Sequence, residues 1–151
     1  MKALTVCQPH AAALLGPKPV ENRGWFCRHR GLLVIHAGKS RDWLDSLTDE
    51  QLATWPDYDP ATLVFGALIG VVLVTDCERY EGRLQQGPFA SGPWCIRRHN
   101  PIALPKPIPW RGQLGLFDVP DEIIREQLPD LKDPYQGPPK TLPAWQRTES
   151  L

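Results

Sequence analysis

The sequence lacks several features that would assign a protein to a functional class at once. Its 17 basic and 17 acidic side chains cancel to a net charge of zero, which excludes a uniformly basic binder of long nucleic acids. Its 4 cysteines stand singly, without a C-x-x-C pair, so we expect no zinc site and reduced thiols. It contains neither G-x-G-x-x-G nor a P-loop motif, so we expect no nucleotide cofactor.

Long hydrophobic segments are also missing. The longest apolar run, Ala67–Val74, is too short to cross a bilayer, and the first residues carry no apolar signal region. We therefore predict a cytoplasmic protein that has no membrane partner.

The zero net charge conceals a strong variation along the chain. Residues 1–41 hold seven basic and one acidic side chain, for +6, whereas residues 42–90 hold two basic and nine acidic ones, for −7. Residues 91–113 carry +4 and residues 114–151 carry −3. The two basic blocks can converge into one positive face in the fold, which would suit a polyanion. The alternative is that these charges are ordinary solvated surface.

The order of predicted elements favours an α+β fold. We predict a small PUA-like mixed β-barrel at residues 1–128, with short helices inserted between strands, and a proline-rich C-terminal extension at 129–151. The predicted strands are Ala3–Val6, Val20–Trp25, Leu32–His36, Gly66–Cys77, Trp94–Arg98 and Gly112–Val119. The predicted helices are Pro9–Leu15, Ser40–Leu47, Thr48–Trp55 and Asp121–Leu128.

The segment Ala103–Trp110 has a proline at every second position. Pro105, Pro107 and Pro109 remove the backbone donors from one side of an extended chain. This spacing predicts an edge strand or a polyproline II segment that resists further strand pairing.

The densest group of candidate functional residues is the octet Gly16–Arg23. If the chain is extended here, Glu21 and Arg23 share one face, and Lys18 can reach the same cleft from the preceding turn. A carboxylate between two cations stays ionised and orients them, and cations held in this way suit a phosphate. The alternative is a strand edge with ordinary salt bridges.

The octet matches G-x-K-x-x-E-x-R, and in this it resembles the ASCH family (activating signal cointegrator homology). Four further blocks resemble that family in chain order: Leu4–Pro9, Leu33–Lys39, Gly66–Val72, and Gly92–Trp94 with Arg111-Gly112. Together they span roughly residues 3–119. The resemblance implies a PUA-like β-barrel with a cleft between barrel and helices that binds RNA or another nucleic acid.

The resemblance implies that Lys18, Glu21 and Arg23 line the cleft, with Lys39 at its rim. The predicted nucleic-acid-binding residues are Lys18, Glu21, Arg23, Trp25, His36, Lys39, Trp94 and Arg111. Trp25 and Trp94 would stack on unpaired bases, with core packing as the alternative, and His36 is either a site residue or a hydrogen-bonded structural one. Trp43 and Trp55 are predicted to be packing residues. Four arginines, Arg28, Arg30, Arg97 and Arg98, are candidates for contacts with backbone phosphate.

The sequence is compatible with three functions. The first is binding of single-stranded RNA or a modified nucleotide. The second is a hydrolase, more a ribonuclease than an amidohydrolase, with Lys18, Glu21 and His36 as catalytic residues; a divalent metal is considered only for this alternative. The amidohydrolase relatives carry a nucleophilic Thr where this chain has Glu21, and residues 6–39 contain no Ser or Thr. The third is a protein-interaction adaptor that uses the acidic residues 42–60 and the proline-rich extension.

Overall fold

A computed structural model describes residues 1–135 of the chain. The strands are β1 (Lys2–Val6), β2 (Val20–Arg23), β3 (Gly31–Ala37), β4 (Ala67–Arg79), β5 (Trp94–Pro109) and β6 (Leu116–Asp118). The helices are α1 (His10–Leu14), α2 (Asp49–Ala53) and α3 (Asp121–Gln127), and short 3₁₀ turns cover Pro60–Thr62 and Leu84–Gln86. No helix within these residues is long and apolar enough to cross a membrane.

The six strands form one mixed sheet in the order β2-β5-β4-β3-β1-β6. β1 and β3 pair in parallel, and the other neighbouring pairs are antiparallel. The sheet curls into a half-barrel whose edge strands are β2 and β6. The predicted α+β class, with a mixed sheet and short inserted helices, is confirmed.

The central strands β3 and β4 are buried on both faces of the sheet. All residues of β3 are buried, and successive residues alternate between two hydrophobic clusters: Leu33 and Ile35 in one, Leu32 and Val34 in the other. α1 covers the first cluster and α3 the second. The two-sided burial predicted for residues 66–77 follows from this arrangement.

A glycine allows α1 to lie directly on the sheet. A Cβ atom at Gly70 of β4 would lie 2.6 Å from the methyl groups of Leu15 and 2.8 Å from the carbonyl oxygen of Ile102. Only a residue without a side chain fits between the end of α1 and β5. This close contact fixes the position of α1, which carries part of the site described below.

The prediction for residues 40–55 is half right. α2 has the predicted capping box, in which the Thr48 side chain accepts from the Gln51 backbone and Gln51 returns a bond to Thr48. The predicted helix Ser40–Leu47 is wrong, because this segment forms a turn at residues 42–45. Side-chain hydrogen bonds stabilise that turn, including one from the Ser46 hydroxyl to the Trp43 carbonyl. A helix this short is not stable unless it packs against the rest of the protein.

The proline-rich segment forms the second half of β5. β2 pairs only with residues 94–97, so the strand beyond them has β4 on one side and is an edge, as predicted. A side chain of α3 covers it: Lys106 N donates to Gln127 Oε1 at 2.9 Å, and Gln127 Nε2 donates to Lys106 O at 3.0 Å. The predicted strand Gly112–Val119 is shorter, because the segment before Leu116 forms a loop.

The first residues of the predicted extension lie on the domain. Leu131 is buried in the same cluster as Ile124, and the backbone N–H of Leu32 donates to Asp133 at 3.2 Å. Residues 136–151 of the predicted extension lie outside the described part of the chain.

Candidate functional site

The octet forms a buried ion cluster. Lys18 Nζ donates to Glu21 Oε1 at 2.9 Å, and Arg23 Nε and Nη2 donate to Glu21 Oε2 at 3.1 and 2.9 Å. Lys18 and Glu21 are only 3% and 8% exposed. The predicted sharing of one face by Glu21 and Arg23, with Lys18 reaching the same cleft, is therefore observed.

Backbone contacts hold the cluster in place from two sides. Arg98 of β5 donates to the carbonyl of Lys18 at 2.9 Å and to that of Gly16 at 2.5 Å. Arg23 Nη2 also donates to the Thr5 carbonyl of β1 at 2.7 Å. The turn between α1 and β2 thus has little freedom to move, and the ammonium group of Lys18 has a fixed position.

Glu21 is ionised although it is buried. Burial alone would raise its pKa, but the charges of Lys18 and Arg23 and their hydrogen bonds outweigh burial and lower the pKa below its usual value. Both carboxylate oxygens already accept hydrogen bonds from cations. Glu21 is therefore an orienting anion and a weak base.

His10 joins the cluster, and sequence analysis missed it. Lys18 Nζ lies 3.1 Å from His10 Nδ1, and His10 Nε2 lies 2.9 Å from Ser46 Oγ. Burial and the charge of Lys18 lower the pKa of His10 to about 4, with Glu21 opposing them, so the ring is neutral at neutral pH. A neutral ring accepts from Lys18 at Nδ1 and donates to Ser46 from Nε2, and the Ser46 hydroxyl donates to the Trp43 carbonyl.

One signal could have pointed to His10. It follows Pro9, the residue at which the predicted helix begins, and a helix starting there brings its first turn toward the turn that carries Lys18. The Leu4–Pro9 block that resembles the ASCH family ends one residue before it.

The cluster lies in a cavity of about 520 Å³ between the sheet and the loops that follow β3 and β4. The lining residues are Val6, Cys7, His10, Lys18, Glu21, Asn22, Arg23, Gly24, Trp43, Ser46, Gln51, Pro88, Phe89, Ala90 and Ser91. Asn22 fixes one wall, since it donates to the Phe89 carbonyl and accepts from the backbone N–H groups of Ser91 and Gly92.

Trp43 is the accessible aromatic residue of this cavity. It is 54% exposed, so the prediction that it is a packing residue is wrong. The turn at residues 42–45 replaces the predicted helix and leaves the indole at the cavity rather than in the core. Trp55 does pack, since it stacks on Tyr58 with 4.4 Å between ring centres.

The other predicted site residues do not line this cavity. Lys39 is exposed, and its side chain runs along Gly66, where an added Cβ would lie 3.0 Å from Lys39 Cε. Arg111 is exposed on the loop before β6. Trp25 is half-buried against the first hydrophobic cluster, and Trp94 is buried within it. For both tryptophans, the core-packing alternative agrees with the observed burial.

His36 also lies outside the cavity. It is 1% exposed, with Nδ1 at 3.1 Å from Thr5 Oγ1 and Nε2 at 2.7 Å from the Trp110 carbonyl. Both ring nitrogens are occupied, which is the structural alternative considered for this residue.

Three of the four arginines predicted to contact phosphate are engaged within the protein. Arg30 is buried and donates to the carbonyls of Cys27 and His29, Arg97 pairs with Glu78, and Arg98 holds the turn before β2. Arg28 is exposed. Among residues 1–135, no group of three or more His, Cys, Asp or Glu side chains is arranged to hold a metal ion.

No protein-family model matches the chain, and no curated protein matches it.

Proposed function

We propose that the protein is a PUA-like, ASCH-type domain whose cavity binds single-stranded nucleic acid or a nucleotide, RNA above all. The observation that carries the proposal is that a buried lysine, a half-buried arginine oriented by the same carboxylate, and an exposed tryptophan line one cavity. Cations of this kind suit a phosphate, and an exposed indole suits an unpaired base.

The cations retain donors for a ligand. Lys18 has three N–H groups, and the described protein atoms account for two acceptors, Glu21 and His10. Arg23 uses Nε and Nη2 for protein contacts, and its Nη1 has no protein acceptor in the described part of the chain. These groups can donate to phosphate oxygens while Glu21 keeps them in place.

The accessible aromatic surface favours unpaired bases. Trp43 presents a face on which any base can stack, worth about 1–3 kcal/mol per base. A base within a duplex is already stacked and paired, so it cannot use this surface without being extruded.

The hydrolase alternative has less support. Its proposed bases were Glu21, whose pKa is lowered by two bound cations, and His36, which lies outside the cavity. The adaptor alternative has no contact in its favour among the described residues. Incubation of labelled RNA with an excess of protein, with and without Mg²⁺ or Mn²⁺, tests the hydrolase directly, and RNA that stays intact argues against it.

The proposed function is tested by binding of a labelled single-stranded RNA to two charge-matched variants. Arg23→Gln removes a cation of the cavity, and Arg28→Gln removes an exposed cation that does not line it. We expect Arg23→Gln to weaken binding about tenfold, the value of one lost charge-assisted hydrogen bond, and Arg28→Gln to leave it nearly unchanged. Equal effects of the two variants, or no binding by the wild type, would contradict the proposal.

A further inference from the structure

We propose that the site selects a phosphodiester, with a single negative charge, next to an unpaired base, and discriminates against the doubly charged phosphate of a nucleoside monophosphate. This inference rests on the proposed function. It names the part of a single strand that the cavity recognises, which is one base and the adjoining phosphodiester.

The fixed charges of the cavity match one negative charge. Lys18 and Arg23 contribute two positive charges and Glu21 one negative charge, while His10 is neutral, so the net charge is +1. No other Lys, Arg, Asp or Glu lines the cavity among the described residues. A phosphodiester neutralises this site. A phosphate dianion must lose much more hydration to enter, and it leaves an excess negative charge beside a buried carboxylate.

The base and phosphate positions are linked through hydrogen bonds. From Lys18 the chain of bonds runs through His10 and Ser46 to the carbonyl of Trp43. The backbone of Trp43, from which the exposed indole projects into the cavity, is therefore connected to the ammonium group that would contact the phosphate. In a single strand the base and the phosphate are covalently joined. Such a ligand can make both contacts with a smaller loss of entropy than two separate ligands.

Four ligands with the same base test the inference by calorimetry at about pH 8, where a phosphate monoester is a dianion. They are adenosine, adenosine 5′-monophosphate, its methyl ester, and the dinucleotide ApA. The methyl ester differs from the monophosphate mainly in carrying one negative charge fewer. We expect the ester and ApA to bind at least about five times more tightly than the monophosphate. Adenosine should bind weakest.

Two further measurements separate the contributions. Lowering the pH to about 5.5 protonates the monophosphate while His10 stays neutral, so the advantage of the ester should shrink. Trp43→Ala should weaken binding of ApA about tenfold, whereas Trp43→Phe, which retains an aromatic face, should restore most of it.

The outcomes distinguish this inference from the proposed function. Tighter binding of the monophosphate than of its ester at about pH 8 would overturn the phosphodiester inference and leave nucleotide binding intact. An unchanged affinity of Trp43→Ala for ApA would overturn the stacking part of the inference. Failure of all four ligands, together with failure of the single-stranded RNA, would overturn both proposals.

Discussion

Lys18 and Glu21 have lost most of their contact with water, which costs each charge several kcal/mol before any pairing. Their hydrogen bond, together with those from Arg23, offsets that cost. A pair of this kind contributes little net stability, but the loss of one partner leaves a buried charge without its counterion. The cluster therefore orients the cations and adds little to the stability of the fold.

This reasoning predicts a large and non-additive effect at Glu21. Glu21→Gln leaves Lys18 buried without its counterion, and we expect the free energy of unfolding to fall by about 3–5 kcal/mol. The double variant Lys18→Met with Glu21→Gln removes the buried ammonium as well, so it should lose less than the single variant. Urea unfolding of the wild type, the single variants Glu21→Gln and Lys18→Met, and the double variant measures this. A double variant whose loss equals the sum of the two single losses would contradict it.

His10 predicts a pH dependence of stability. Its pKa is about 4 in the folded protein against 6.5 as the ordinary value, so between these values the unfolded chain binds a proton that the folded chain does not. Stability should therefore fall as the pH falls from about 6.5 to about 4, by at most ~1.4 kcal/mol per pH unit and by less because the ring is partly exposed.

The variant His10→Asn isolates this contribution. Asn retains an acceptor for Lys18 but does not titrate, and other groups titrate alike in both proteins. Wild type should lose stability relative to His10→Asn as the pH is lowered through this window. If the two proteins lose stability in parallel, His10 is not the titrating group.

The octet could be read from the sequence, because Glu21 and Arg23 share one face of β2 and Lys18 stands three positions before Glu21, just ahead of the strand. His10, Ser46 and Trp43 could not, because their positions depend on how α1 and the turn at residues 42–45 pack over the sheet. Short-range spacing predicts local partners, and tertiary packing decides which distant residues join them.

Among the secondary-structure elements, α1 positions the site through its contact with β4. Gly70→Ala would bring a Cβ within 2.6 Å of Leu15 and 2.8 Å of a backbone carbonyl, and the latter cannot move easily. We expect this variant to lose about 1–3 kcal/mol of unfolding free energy. Gly24→Ala is the control, because a Cβ there meets nothing within 4 Å. Equal stability of the two variants would argue against a close contact between α1 and β4.

Elements with a strong local pattern could be predicted, and elements stabilised by packing could not. The proline spacing in Ala103–Trp110 removes donors whatever the rest of the fold does, and the segment is an edge. The segment Ser40–Leu47 has a helix-like cap and a few apolar residues, but the bond from the Ser46 hydroxyl to the Trp43 carbonyl and the exposed tryptophan favour a turn. The local sequence of so short a segment does not determine whether it forms a helix or a turn.

For the whole molecule, the two basic blocks do meet, because β2 pairs with the start of β5. At this junction Arg97 and Arg98 bind groups within the protein. Arg28, Lys39 and Arg111 are exposed but do not line the cavity, so the cavity itself carries only a small local charge. The neutral composition thus agrees with a site that contacts few phosphates.

The salt dependence of binding should reflect the small number of phosphate contacts. A ligand that makes one phosphate contact gives a slope of about −0.7 in a plot of log K against log salt concentration. We expect a slope near this value for a short single-stranded RNA. A slope several times steeper would indicate a wide basic surface, and the assignment of the site to one cavity would then be wrong.

The most direct test of nucleic-acid binding in the cavity is to map a bound single-stranded RNA by amide and indole chemical-shift changes in the ¹⁵N-labelled protein. We expect the largest changes at residues that line the cavity, among them the Trp43 indole and the backbone of Gly24 and Ser91. Changes concentrated at Lys39 and Arg111, with the Trp43 indole unaffected, would contradict it.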